Sequence, residues 1–168
     1  MQVSKSLKRL IFWELGIPVS LLIIGIYHGL MQTIYRSGVI HQSSFAHLDY
    51  YQGLTLHGVI NAIVLTTFFA VAFGHACITF YLKKEPNKAL GWLSFALMVV
   101  GTVLATGVMV SGKASVLYTF YPPLKAHPLF YLGLALLIVG SWIPLYDWAR
   151  MYVKWKAQNP LVKTPLAV

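Results

Sequence analysis

Apolar residues in this chain are gathered into four long runs, at about 10–31, 53–82, 89–111 and 128–149, separated by short polar stretches. Each run covers the ~20 helical residues needed to cross a hydrocarbon core. A membrane β-barrel would instead need segments of about ten residues with alternating hydrophobicity, and these runs do not alternate. In lipid the backbone must satisfy its own hydrogen bonds, so the runs predict helices. The expected fold is an all-α integral membrane chain of four transmembrane helices, with residues 1–168 as a single membrane domain. The first run follows Lys5, Lys8 and Arg9, as a cleaved signal would, but it is longer than a signal core and contains Glu14 and Pro18. It is read as a retained helix. No internal repeat and no low-complexity segment appears.

Composition agrees with the pattern. The chain is 58% hydrophobic and only 10% charged, against roughly 25% charged in soluble domains. Thirteen Lys and Arg against four Asp and Glu give a net charge of +9. In a soluble protein that excess would suggest nucleic acid. Here the basic residues flank apolar runs, so lipid is the expected partner and nucleic acid is not. Lys5, Lys8 and Arg9 before the first run, Lys83, Lys84 and Lys88 after the second, and Arg150, Lys154, Lys156 and Lys163 after the fourth mark one side as cytoplasmic. Both termini then lie inside, and the loops at about 32–52 and 112–127 face outward. Trp92, Tyr118, Tyr121, Trp148, Tyr152 and Trp155 sit near span ends, as interfacial anchors do. Cys77 is the sole cysteine, which excludes an intramolecular disulfide and any cysteine-built metal site.

The candidate chemistry lies in the histidines. His57 falls about one turn inside the outward end of the second span, His28 near the outward end of the first, and His127 at the start of the fourth. His41 and His47 are in the first outer loop, and His75 is near the inner end of the second span. A neutral imidazole buried in an apolar run suits haem iron, and the iron bond removes the cost of an unpaired ring nitrogen. The plainer reading is a histidine hydrogen-bonded to a neighbouring helix. Gly53, Gly58 and Ala62 make one side of the helix small, and Asn61 shares the face of His57; such small-residue patterns mostly signify helix packing. His75 follows by 18 residues, or five turns, so it should point the same way roughly 27 Å deeper. It has no histidine opposite it and is expected to be structural. The four acids, Glu14, Asp49, Glu85 and Asp147, all fall toward span ends, so no buried carboxylate is expected for a catalytic triad. No Walker loop, HExxH or dinucleotide fingerprint is present, and no catalytic residue is assigned.

Two stretches, "YYQGLTLHGVINAIVLTTFFA" at 50–70 and "SVLYTFYPPLKAHPLFYLG" at 115–133, resemble the second helix and third loop of subunit I of haem-copper terminal oxidases. The strings "LTLHGVINAIV" and "VLYTFYPPLKAH" are most similar to the B-family enzymes. The similarity runs from about residue 50 to the C-terminus, and the first helix fits by position and hydropathy only.

That resemblance implies that His57 is an axial ligand of a low-spin haem b on the outward side, with Gly58, Asn61 and Tyr121 beside the cofactor. Family members are cytochrome c oxidases. They take electrons from cytochrome c through a di-copper site on subunit II, and pass them through the low-spin haem to a high-spin haem and copper pair that reduces dioxygen to water. The reaction is coupled to proton translocation across the plasma membrane. The second axial histidine, the copper ligands and the high-spin haem ligand belong to later helices of that family. The resemblance therefore implies the N-terminal part of a longer subunit, or one polypeptide of a split one, completed by the remaining subunit I helices. Nitric oxide reductase is the nearest alternative within the superfamily. Outside it stand a small membrane b-type cytochrome, using His57 with His28 or His127 for electron transfer only, and a non-catalytic assembly subunit.

Overall fold

The computed structural model describes residues 3–40 and 48–165. Four long helices make up almost all of it: α1 (Lys5–Arg36), α2 (Tyr50–Leu82), α3 (Lys88–Val110) and α4 (Pro128–Gln158). All four are long and apolar enough to cross a membrane. The sequence-based spans fall inside them, save that the third ends one residue past Val110, and α1 and α4 run on beyond the apolar stretch. Hydropathy registers only the part that meets lipid, whereas caps decide where a helix ends. Ser4 accepts from Leu7 N, Asn87 accepts from Ala89 N and Leu90 N, and Asp49 forms a reciprocal capping box with Gln52. Pro128 opens α4 with the His127 side chain as cap. Lys83, in the left-handed region at φ 53°, ends α2.

Leu56, Val59, Ile60, Val64 and Phe68 of α2 pack on Met98, Ala105 and Met109 of α3 and on Phe130 and Leu137 of α4; all are fully buried. The α3–α4 seam is the tightest: a Cβ on Gly101 would come within 2.4 Å of Gly133 O, and one on Gly133 within 2.6 Å of Gly101 O. Small residues let the backbones close up where lipid offers no hydrophobic drive for association. Ser94 Oγ adds a hydrogen bond across the seam to Gly140 O at 2.8 Å. Only 22% to 39% of the most apolar window of each span is buried inside the chain, so the remainder faces lipid or other helices.

Two features were not foreseen. Residues Val59–Val64 of α2 form a π turn directly after His57 and Gly58. Such a turn holds about one extra residue and rotates the remainder of the helix by roughly 100° relative to an unbroken one. In addition, the carboxylates are not confined to exposed span ends. Glu14 is fully buried, and Asp147 is 7% exposed and accepts from Asn87 N.

Candidate haem-ligating site

His57 is half-buried and lies in a trough on α1 floored by Gly25 and Gly29. A Cβ on Gly29 would stand 2.5 Å from His57 Cε1, and one on Gly25 would stand 2.2 Å from Asn61 Oδ1. Only glycine lets the imidazole lie so close to the α1 backbone. Nδ1 is 2.7 Å from Gly25 O; a carbonyl only accepts, so Nδ1 carries the ring proton. Asn61 Nδ2 stands 3.0 Å from the same nitrogen; with Nδ1 protonated toward Gly25 O this is a packing contact and not a hydrogen bond, and Asn61 Oδ1 has no partner among the described residues. The neutral tautomer is thereby fixed with the lone pair on Nε2, which has no hydrogen-bond partner among the described residues. An imidazole tied at one nitrogen to a backbone carbonyl and bare at the other has the arrangement expected of a metal ligand. Among the described residues there is no cluster of three metal-ligating side chains, so the site fits iron held in a porphyrin rather than a free ion.

The second outer loop is pinned to α2 beside this histidine. Thr55 Oγ1, fully buried, donates to Tyr51 O at 2.7 Å and accepts from Leu117 N at 2.8 Å. Gln52 Nε2 donates to Gly112 O at 2.7 Å. The loop is closed on itself by a bridge between Ala114 and Ala126 and by Ser115 N donating to Lys125 O. Its ring against α2 is Tyr118, which covers Gly58: a Cβ there would come within 2.9 Å of Tyr118 Cδ1.

Of the residues the sequence singled out, His57 and Asn61 are therefore brought together. Gly58 is on a different side of the helix, under Tyr118. Tyr121 is 62% exposed and joins the structure through its backbone N–H to Val116 O; the ring against α2 is that of Tyr118. The trough residues Gly25 and Gly29 were missed, although their four-residue spacing on α1 was a readable small-residue signal.

The other histidines differ. His28 is bonded through Nδ1 to Ile24 O of its own helix; its Nε2 is buried without a partner, and its Cδ2 faces Gly53 of α2. His127 is exposed and spends Nδ1 as the cap acceptor of α4. Neither is placed to complete a two-histidine haem site with His57. His41 and His47 lie outside the described residues. His75 is 1% exposed, 3.1 Å from Glu14 Oε2 through Nδ1, and edge-on to Trp148 at 5.2 Å. Both His57 and His75 meet α1, but His75 is turned into the bundle and closed there.

The family described as Cytochrome C and Quinol oxidase polypeptide I matches residues 9–168. This chain belongs to that family. Cytochrome c oxidase subunit 1 of Thermus thermophilus is 46% identical over 118 residues, covering 70% of this chain and 21% of that protein. A cryo-EM structure of a heme-copper terminal oxidase dimer superimposes with a TM-score of 0.94 at 51% identity, covering 98% of this chain and 28% of that one. The chain thus spans between a fifth and a third of these oxidase relatives. It is a multi-pass membrane protein with the fold of part of a haem-copper oxidase subunit I.

Proposed function

We propose that this chain is the part of a cytochrome c oxidase subunit I that holds one face of the low-spin haem b, through His57 Nε2. One observation carries the reading: a histidine inside a membrane helix has its Nδ1 proton committed to Gly25 O at 2.7 Å and its Nε2 lone pair uncommitted. Leaving a polar atom unpaired at this depth is costly, and coordination removes the cost. The Gly25 carbonyl sets the tautomer and makes the imidazole a stronger donor. Gly29 leaves room for the ring, Asn61 packs beside it, and the loop pinned by Gln52 and Thr55 covers the outward end.

A haem bound there supplies one-electron transfer. Electrons from cytochrome c by way of a di-copper subunit II, onward transfer to a high-spin haem and copper centre, dioxygen reduction and coupled proton translocation belong to the complete enzyme in the plasma membrane. Its other subunit I helices supply the second axial ligand and the copper ligands. Residues 1–168 act within it as one membrane domain, with both termini on the cytoplasmic side.

The test is His57→Ala in the assembled oxidase, read by reduced-minus-oxidised visible spectra. The low-spin haem band is expected to vanish while the chain still inserts and co-purifies. An unchanged band would overturn the assignment. A two-histidine spectrum from the isolated chain would instead establish the small cytochrome.

A further inference from the structure

The basic end of the bundle holds a cavity of about 470 Å³ between the turn that follows α2 and the last turns of α4. Lys83 and Lys84 line it from one side, and Arg150, Lys154 and Trp155 from the other. Two acids also border it, outnumbered by the four cations: Glu85 accepts from Ser4 N and lies 3.9 Å from Lys88, and Asp147 accepts from Asn87 N. Hydrogen bonding to Ser4 holds the Glu85 carboxyl below its ordinary range. Among the described residues no carboxylate lies within ion-pair distance of Lys83, Lys84, Arg150 or Lys154. Lys83 Nζ rests 4.3 Å above the Phe80 ring, and Arg150 is 5.5 Å from the Tyr146 ring. Aromatic faces hold two of the cations in place without neutralising them.

A positive end is what topology requires of any such protein, but topology asks only for a count of charges. Here cations almost seventy residues apart in sequence converge on one concavity, which only the fold accomplishes. Lys83 also borders a second groove, lined by Leu7, Ile11, Phe73, Ala76, Cys77 and Phe80, of about 690 Å³ and overwhelmingly apolar. A cationic pocket at the membrane rim with an apolar groove beside it, both bordered by Lys83, matches a molecule with an anionic head and a hydrocarbon tail.

We propose that this is a binding site for an anionic phospholipid. The phosphodiester sits among Lys84, Arg150 and Lys154, an interfacial tryptophan, Trp155, walls the head, and one acyl chain follows the groove past Phe80. The charge selects the head, and the apolar groove that shares Lys83 with the cationic cavity favours a lipid over a free anion.

The experiment uses the assembled, detergent-purified oxidase. Native mass spectrometry measures adducts of added dioleoyl phosphatidylglycerol, dioleoyl phosphatidylcholine or inorganic phosphate. A photoactivatable phosphatidylglycerol maps the contact. Retained phosphatidylglycerol is expected to fall about thirtyfold in Lys84→Gln/Lys154→Gln, from the contribution of two basic residues near an anionic head. Lys113→Gln/Lys125→Gln, at the opposite end, should retain it as wild type, and photolabel should fall on residues 73–84. Equal retention in both double variants overturns the proposal. So does displacement of phosphatidylglycerol by millimolar phosphate, which marks a free-anion site, or phosphatidylcholine binding with the same losses. Absence of label in 73–84 overturns it as well, as expected where a partner helix fills the groove.

Discussion

Two histidines on one helix, 18 residues apart, have opposite surroundings. His75 is closed: fully packed, bonded to a buried Glu14, with Trp148 against its edge. His57 is open: half-buried, tied at Nδ1 by a backbone carbonyl, bare at Nε2. Depth in the membrane and apolar neighbours do not distinguish them, and neither Nε2 has a hydrogen-bond partner among the described residues; what differs is the room around that nitrogen, which in His75 is packed toward Gly91 inside a sealed site and in His57 lies on a half-open ring. An imidazole paired to a carboxylate in a closed site holds helices together, whereas one oriented by a backbone carbonyl with its other nitrogen accessible can take a partner from outside the chain.

The largest expected break in this contrast is His57→Ala, which should abolish low-spin haem in the assembled enzyme and leave thermal unfolding of the haem-free chain nearly unchanged. His75→Ala should do the reverse. It strands Glu14, fully buried, at ~1–3 kcal/mol for an unsatisfied polar group, or more if charged, so the melting temperature in detergent should fall while the haem spectrum holds. If His75→Ala removes the haem band, the division of labour between the two rings is wrong.

Gly29→Val probes the trough itself. Its Cβ would lie 2.5 Å from His57 Cε1, so the ring must shift, at about 1 kcal/mol, toward the low end of overpacking costs. A broadened or weakened low-spin band with little loss of stability is expected; an unaltered band would mean the ring is not held where the structure places it.

The smallest effect concerns the basic end. The Glu85 carboxyl, hydrogen-bonded to Ser4, has its pKa lowered on folding. A lowered folded-state pKa gives stability that is present above the ordinary carboxylate range and lost as pH falls through the lowered value. Glu85→Gln should therefore melt slightly below wild type at neutral pH, and the gap should close on acidification. A gap that persists at low pH would place the effect elsewhere.

Much of this architecture was legible in the order of residues. Four apolar runs, punctuated by Ser4, Asp49, Asn87 and Pro128, specify four helices, because the backbone in lipid has no other way to satisfy itself. Charge asymmetry supplied an orientation, and the strings around His57 and Tyr121 supplied the family. The contact of Tyr118 with Gly58 of α2 was not read from the sequence, because it depends on how the loop closes through the Ala114–Ala126 bridge.

By itself the sequence determined that the chain crosses a membrane, where its helices lie, and that His57 is the histidine to watch, because hydropathy, caps and local motifs are read along the chain. Only the tertiary structure decided which nitrogen of His57 is free, that Glu14 is buried against His75, and that basic residues from two distant segments share a cavity. Those facts depend on which face of α2 meets α1 and α4. A single π turn shifts that facing by about a residue, and no periodicity in the apolar run reveals it.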